Sequence, residues 1–435
     1  MLKTMKKDDS DCQLTIAILT KNERENILQL VPRVRKCAET LKVPYEILVV
    51  DGNSSDGTAD VARTLQCRVV MQSRKGYSEA LKEALLTSRG KWIATLDADL
   101  SHDPEILYHL WAMRESAVLL VASRYIDGGR AHVSLLRGML SRLLNKIYQK
   151  VLDLPYHDFT SGYRLMKREI ISSMVSYLTG KDFDILPEIL IRAYCDGRKV
   201  QEVPFTYYPR RSGYSKAKII KYGLSYLRSL WAMWQIRNSA FSCDYDERAY
   251  RSRIPIQRYW QRKRHKIIVG IIRDHRKILD VGCGSSRIIQ TLRSAVGLDI
   301  DLKKLQYLSG RNPYLVKGTI KNLPFKENLF STVVCSEVIE HIPKYPVIYH
   351  ELYRVISKEG WLIIGTPDYS SWMWRVFEWF YGKILPFAYA EQHISHYTGT
   401  ELIRILQENR FEIIQKHYIM WSELIILAQK RSYGS

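Results

Sequence analysis

Short apolar runs alternate with amphipathic stretches along most of the chain. In the first half the runs are Leu14–Leu19, Tyr45–Val50, Arg68–Met71, Trp92–Leu96 and Ala117–Ala122. Each is short, continuous and rich in β-branched or aromatic residues, the pattern of a strand buried on both faces. Between them, Asn26–Leu41 and Thr58–Leu65 space their apolar residues for one face of a helix. Strand, helix and strand in strict alternation predict βαβ units around a largely parallel sheet. The pattern continues to about residue 240 and ends in the aromatic and basic segment KIIKYGLSYLRSLWAMWQIRNS. A second series opens at Lys277 with KILDVGCG and continues through AVGLDI, a stretch ending in LPF, FSTVVCSEVIEHI and GWLIIGTP. Between the two series, Arg and Lys crowd among aromatics, which predicts a basic amphipathic helical lead-in over 246–276 or, equally, a solvated helix face. Two α/β domains are expected, at 12–240 and at 246–432 with the lead-in included.

Composition adds limits. A chain of 435 residues suits two domains, and 46% hydrophobic with 26% charged residues is ordinary for a folded protein. Lys and Arg number 66 against 45 Asp and Glu, a formal charge of +21 spread over both halves. That excess points to an anionic partner: nucleic acid, an acidic membrane surface or a phosphorylated substrate. The cysteines, seven in number, include no C-x-x-C pair, which fits a reducing compartment and excludes the usual zinc frameworks. No secretory signal is expected from MLKTMKKDDSDCQ. Charges interrupt both of the longest apolar stretches, at Lys221 and Arg228 and at Arg375, Glu378 and Lys383, so no transmembrane helix is expected. Ile219–Ile236, with Tyr222, Tyr226, Trp231 and Trp234 beside Lys218, Lys221 and Arg228, reads as an interfacial helix or as a helix packed on its neighbour.

The first chemistry is Asp97-Ala98-Asp99 at the end of the strand KWIATL. Two carboxylates so placed repel each other, and a divalent cation relieves the repulsion. Such a metal can bridge the phosphates of a nucleoside-diphosphate donor and neutralise the leaving group. D-x-D alone is weak, but VVDGNSSDGT offers Asp51 at another strand end, and ILTKNERENI offers Thr20, Asn22 and Glu23. With RKGYSEALKEAL, DADLSHDPE, SRYIDGG, DFTSGYRLMKR, LPEILIRAY and EVPFTYYPRRSGYSKA, this ordered set over residues 14–220 resembles the inverting family 2 glycosyltransferases, nearest to their dolichyl-phosphate mannosyltransferase-like branch. The resemblance implies a GT-A fold, a Mg or Mn ion held by Asp97 and Asp99, and a nucleotide sugar contacted by Thr20, Asn22, Glu23 and Asp51. Ser101 stands where the branch often has a further metal-reaching residue, so Asp97 can serve either the metal or the nucleotide.

The acceptor has two readings. A polyprenyl phosphate is mostly ionised at neutral pH, because its second pKa is near ~6, and needs cations rather than a base. Arg124, Arg137, Arg210, Arg211 and Lys216 lie in segments that in the branch bind phosphates, or are ordinary surface cations. A sugar hydroxyl would need a general base, for which Asp158 is the candidate. Glu188 is a candidate for orienting one of the arginines.

In the second series, Asp280, Gly282 and Gly284 form a strand end and glycine turn, and Asp299 ends the next strand. Arg287 replaces the last glycine of a dinucleotide fingerprint, which disfavours a pyrophosphate. With NLPF (Asn322, Leu323), SEVIEHI, HELYRVISKEGWLIIGTP and ISHYTGTELIRILQENRFEII, this resembles a class I, Rossmann-like S-adenosylmethionine-dependent methyltransferase over about 246–430. The resemblance implies cofactor binding by Asp280, Gly282, Gly284, Asp299, Asn322 and Leu323. Thr319 and Ser331 stand where that family often has Asp. His341, His393, His396 and Glu391 are candidate acceptor-side bases by position, or buried structural groups. Trp372–Ala390 is an aromatic stretch that can cover an acceptor, touch lipid or form core.

The expectation is a bifunctional enzyme at the cytoplasmic face of a membrane. It would transfer a sugar to a polyprenyl phosphate and methylate the same glycolipid or a related acceptor. No nucleic acid is expected, for lack of an RNA-binding signature. The alternatives are transfer to a sugar hydroxyl in cell-surface glycan assembly with Asp158 as base, and a non-catalytic basic scaffold with vestigial sites.

Overall fold

A computed structural model describes residues 12–209, 219–273, 276–292, 294–384 and 393–431. Its contacts divide the chain into two units, the first running to Tyr194 and taking up Arg198–Ile236, the second Cys195–Gly197 and everything from Arg237.

The first unit is built on β1 (Leu14–Thr20), β2 (Tyr45–Asp51), β3 (Arg68–Met71), β4 (Trp92–Asp97), β5 (Leu119–Ser123), β6 (Arg130–Ala131), β7 (Arg164–Lys167), β8 (Val200–Pro204) and β9 (Thr206–Tyr207). Seven of these form one sheet in the order β3-β2-β1-β4-β7-β5-β8, and β6 pairs with β9 apart from it. The expected apolar runs all become strands, within one or two residues at each end. The sheet is not wholly parallel, because β7 lies antiparallel between β4 and β5. RLMK is too short and mixed to announce itself as a strand. The register pairs Thr20 with Asp51 and Leu19 with Asp97, so the polar ends of β1, β2 and β4 lie in one row. In parallel sheets the crevice beyond the carboxyl ends of such strands is where ligands bind.

The second unit comprises β10 (Ile278–Val281), β11 (Val296–Asp299), β12 (Leu315–Lys317), β13 (Phe330–Ser336), β14 (Ile356–Pro367), β15 (Phe411–Ile419) and β16 (Glu423–Lys430). Their order is β12-β11-β10-β13-β14-β16-β15, parallel except for β16. Buried Leu279, Val281, Val333, Leu362 and Ile426 fill the core on one face.

The lead-in is two helices rather than one, Tyr245–Tyr250 and Pro255–Ile271. Trp260, Arg264 and Ile268, spaced by four, are the buried face of the longer one. Arg264 is bonded to fully buried Glu423 through Nε (2.6 Å) and Nη2 (2.7 Å), and Trp260 Nε1 donates to the same carboxylate. The lead-in is thus neither all solvated nor free of the core. The aromatic stretch is divided in the same way: Trp374 and Phe377 of the helix Trp372–Ile384 meet Trp260, whereas Trp372 and Trp379 are exposed.

Candidate active sites

At the head of the first sheet, Thr20 Oγ1 donates to Asp51 Oδ2 at 3.0 Å, and Ser54 N donates to Asp51 Oδ1 at 2.7 Å. Asp51 is fully buried and shapes the turn after it. Asn22, held at φ 53°, binds the same turn from the other side: its N–H reaches Ser54 Oγ at 2.7 Å and its Oδ1 accepts Ser55 N at 2.9 Å. Glu23 N donates to Thr58 Oγ1 at 2.9 Å, and its carboxylate accepts Asn26 Nδ2 at 2.6 Å. Thr20, Asn22, Glu23 and Asp51 are therefore brought to one edge of the crevice.

Asp97 closes β4 with its side chain 32% exposed, while Asp99 is buried. Ser101 donates both its N–H (3.1 Å) and its hydroxyl to Asp99 Oδ1, which places it behind that carboxylate. Gly162 leaves room beside Asp97, since a Cβ there would stand 3.0 Å from the Tyr77 hydroxyl and 3.6 Å from Asp97 Oδ1. His102 is buried behind the pair, accepting Asp97 N on Nδ1 at 3.1 Å and stacked on Tyr163 at 5.3 Å. A partly exposed and a buried carboxylate on one turn form a hard, all-oxygen donor set that suits Mg²⁺ or Mn²⁺.

Arg124 and Asp158 form a two-pronged ion pair. Arg124 Nε donates to Oδ2 at 2.8 Å and Nη2 to Oδ1 at 2.7 Å, while the backbone N–H groups of Arg124 (3.1 Å) and Thr160 (3.2 Å) complete the shell. Asp158 is fully buried, and despite that burial the adjacent guanidinium holds its carboxyl below the usual range. This corrects the assignment of Asp158 as a general base. A base must be exposed to the acceptor and bind a proton near neutral pH, and this carboxylate does neither. Arg124 is 14% exposed at the same point, so the pair presents the cation and hides the anion. Glu188 is corrected likewise: it accepts Thr179 N (2.9 Å) and Gly180 N (2.7 Å) and pairs with Arg192, which pins a loop rather than orienting an expected phosphate-binding arginine. Arg137 stands exposed in the first turn of the helix Leu135–Leu152. Arg210, Arg211 and Lys216 lie outside the described residues, as does Glu391.

In the second unit a cleft of about 700 Å³ opens at the carboxyl ends of β10, β11 and β13. Asp280, Gly282, Gly284 and Asp299 all line it. Gly282 (φ 68°) and Gly284 (φ 51°) adopt left-handed backbone, and a Cβ on them would stand 2.3 Å from Val338 Cγ2 and 2.4 Å from Asp246 Oδ2. Asp299 accepts Gly284 N and Asp301 N, both at 2.7 Å. Asp280 Oδ2 is buried with no hydrogen-bond partner among the described residues. Burial, with Asp299 and Asp246 nearby, pushes the Asp280 carboxyl up to about 8. A cleft lined by Asp246, Asp280, Asp299, Asp301 and Glu337, with the Asp280 oxygen orphaned, fits a cationic ligand.

Asn322 and Leu323 do not belong to this cleft. Leu323 is core, its N–H on Glu351 Oε2 at 2.7 Å, and Asn322 is exposed; the wall here is Gly318, Thr319 and Ile320. The motif NLPF points to the right loop, but the backbone turns before it. Asp246 and Lys304 went unforeseen. Asp246 accepts Ser285 N at 2.9 Å and pairs with Lys304 at 3.3 Å, so a residue well before the glycine turn braces it. His341 and His393 come together with ring centroids 5.0 Å apart, and His396 stacks on Tyr369 at 4.0 Å. Burial and the neighbouring histidines push His393 down to about 4, too low for a base that must hold a proton near neutrality.

Comparison with known proteins agrees with both halves. Residues 15–174 match the family model for glycosyl transferase family 2, and residues 279–364 match that for a methyltransferase domain. The chain is 32% identical over 232 residues to the dolichol-phosphate mannosyltransferase of Pyrococcus furiosus, which covers 51% of this chain and 63% of that protein. It is 34% identical over 220 residues to the polyprenol monophosphomannose synthase of Mycolicibacterium smegmatis, covering 47% and 81%. It is also 29% identical over 207 residues to glycosyltransferase AglJ of Haloferax volcanii, covering 47% and 65%. The chain thus spans less than two thirds of the length of the first and third of these relatives. The resemblances carried by the motifs hold in both units, as do the GT-A-like and Rossmann-like folds.

Proposed function

We propose, for a chain that belongs to glycosyl transferase family 2 and carries a methyltransferase domain behind it, that the first unit transfers a sugar from a nucleoside diphosphate to a polyprenyl phosphate at a membrane surface, with inversion. The observation that carries this reading is the Arg124–Asp158 pair. With its carboxylate committed, the site lacks the base that a sugar hydroxyl would need at Asp158. A phosphate monoester, ionised at neutral pH, attacks without one. Arg124 presents a fixed guanidinium to such an anion. Asp97 and Asp99 would hold a divalent cation, which neutralises the leaving diphosphate. The similarity to the dolichol-phosphate mannosyltransferase of Pyrococcus and the polyprenol monophosphomannose synthase of Mycolicibacterium supports the acceptor class.

The membrane-surface reading draws on the helix Leu135–Leu152. Leu135 is 87% and Met139 66% exposed, with Leu136, Leu140 and Leu143 on the same face and Arg137 and Arg142 among them. Its other face carries Tyr148, whose hydroxyl meets Tyr226 O (2.8 Å) and Ser229 Oγ (2.7 Å) of the helix Ile219–Arg237. That second helix also exposes Leu227 and Trp231. Apolar faces edged with arginines suit a lipid surface, and the cytoplasmic face is the side we propose. No helix among the described residues is long and apolar enough to cross a membrane.

The second unit is read as methylating the same glycolipid or a related acceptor. S-adenosylmethionine would bring a methyl group on a sulfonium and a free ammonium. Asp280 would take the ammonium, and Asp299 the ribose. Asp280→Asn is expected to weaken S-adenosylmethionine binding roughly 30-fold, the worth of a charge-assisted hydrogen bond of about 2 kcal/mol. It should also raise the melting temperature of the ligand-free protein at pH 7.5 by about 3 °C. The sign follows from the raised carboxyl: the stability tied to Asp280 is fully present below the unfolded value near ~4 and is lost as pH rises towards about 8. Calorimetry of both proteins across that range checks it. The joint reading is tested by mass spectrometry of the lipid made by the full-length chain with and without S-adenosylmethionine. A methyl gain that Asp280→Asn diminishes supports it, and an unchanged lipid mass removes the shared acceptor.

A further inference from the structure

On the wall of the methyl-donor cleft, SEVIEHI leaves β13 at Ser336 and turns through a short 3₁₀ helix, Ile339–His341. The Glu340 carbonyl accepts the N–H groups of Ile394 (2.8 Å) and Ser395 (2.9 Å), which fixes His393 beside the turn. Glu340, His341 and His393 each aim one ligand atom into the same space, all within 4.8 Å of one another. Glu340 Oε1 stands 3.9 Å from His341 Nε2. Ligands held at about 2.0–2.2 Å from one ion lie roughly 3–4 Å apart, so a small contraction completes the set.

Two further observations point to a cation. Glu340 is fully buried; its Oε2 accepts Thr366 Oγ1 at 3.0 Å, while Oε1 has no hydrogen-bond partner among the described residues. A buried carboxylate oxygen left in that state costs free energy that a metal would recover. The second is the tautomer of His393. The Tyr369 hydroxyl lies 3.0 Å from Glu378 Oε1, to which it donates, and 2.8 Å from His393 Nδ1. With its one proton committed to the carboxylate, the hydroxyl accepts from Nδ1–H, and the lone pair of His393 is left on Nε2. A carboxylate that orients a ligating histidine through its other nitrogen is the usual support of a metal site.

We propose that Glu340, His341 and His393 hold a divalent first-row transition ion, and that its remaining positions take the hydroxyl oxygen of the methyl acceptor. Two imidazoles and a carboxylate favour such an ion over Mg²⁺ or Ca²⁺, and three protein ligands leave coordination positions open. Of the three ligands His341 lines the cleft that Asp280 and Asp299 also line, and that is the side to which we assign the open positions. On the ion the acceptor O–H gives its proton to water and stays bound as an alkoxide. Its lone pair then forms the new C–O bond to the methyl carbon as the C–S bond breaks, and both electrons of that bond return to sulfur, leaving a neutral thioether. The inference rests on the reading of this unit as a methyltransferase.

The test is cobalt titration of the full-length chain after removal of metals, followed by visible d–d absorption, with S-adenosylmethionine binding measured separately by calorimetry. The expected result, beyond any cobalt taken up at Asp97 and Asp99, is one equivalent of Co²⁺ whose d–d band is lost in His341→Ala and in His393→Ala and kept in Asp99→Ala. Tyr369→Phe, a change at a positioning residue, should weaken cobalt binding about 10- to 100-fold. A cooperative thermal transition like that of the parent shows that these variants fold. A parent protein that binds S-adenosylmethionine but gives no band, or a band unchanged in both histidine variants, overturns the metal site alone. A parent that binds cobalt at these residues but no S-adenosylmethionine overturns the methyltransferase reading and the proposed role of the ion, and leaves the metal site.

Discussion

Asp99→Ala is expected to lower sugar transfer by about 1000-fold, roughly 4 kcal/mol of transition-state stabilisation. In the proposed step a nucleoside diphosphate leaves, and Asp97 and Asp99 are the carboxylates we propose to hold the cation that neutralises it. Alanine at 99 also releases the Ser101 hydroxyl and N–H, so a structural cause must be separated from an electrostatic one. Asp99→Asn does this. Its amide oxygen can still accept from Ser101, but it carries no charge to hold a metal. Activity should fall nearly as far as in the alanine variant while the melting temperature stays at or above that of the parent, because one member of a mutually repelling pair has been neutralised. If the asparagine variant kept most of the activity, Asp99 would be serving the loop and not the cation.

Asp158→Asn should act on stability first. It leaves the Arg124 guanidinium, 14% exposed, facing a neutral amide, and breaking one side of a buried pair costs about 3–5 kcal/mol. Urea unfolding should show the loss as a lower midpoint. The pH dependence gives a second readout. Asp158 is held below the usual carboxylate range, so its contribution is present above the unfolded value near ~4 and disappears as pH falls through the lower folded value. The variant should therefore show a flatter acid limb than the parent. Replacing both partners, Arg124→Met with Asp158→Leu, should recover much of the stability and none of the transfer activity. Were Asp158 a base instead, Asp158→Asn would be as stable as the parent and inactive.

The central parallel strands β1, β2, β4, β5, β10, β11, β13 and β14 were legible because a buried parallel strand writes itself as a continuous apolar run, whereas antiparallel β7 and β16 were not; the glycine turn at Gly282 and Gly284 was legible because glycine tolerates that backbone. What the sequence concealed was pairing across long separations. Nothing in DFTSG says that its aspartate meets Arg124, which turns a candidate base into an anchor. Arg164, fully buried with its guanidinium on the carbonyls of Phe159, Ser161 and Leu186, looked like one more basic residue. The buried histidine behind Asp97 sat unremarked inside DADLSHDPE, since its environment comes from Tyr163, Phe205 and Tyr207. In the second unit the cleft is lined by Thr319 and Ile320 and not by Asn322 or Leu323, because Leu323 belongs to the core. The Glu340, His341 and His393 cluster joins residues 340 and 393 through the backbone bonds at Ile394 and Ser395, a contact no local pattern encodes.

Transfer of a sugar to a lipid phosphate is tested most directly with purified full-length protein, a polyprenyl phosphate, Mn²⁺ or Mg²⁺, and each labelled nucleotide sugar in turn. Label entering the organic phase is the readout, with Asp99→Ala alongside. The expected result is metal-dependent organic-phase label from a donor, absent with the variant. No such label from any donor, in protein shown to bind one, would contradict a phosphate acceptor and return the acceptor to a hydroxyl.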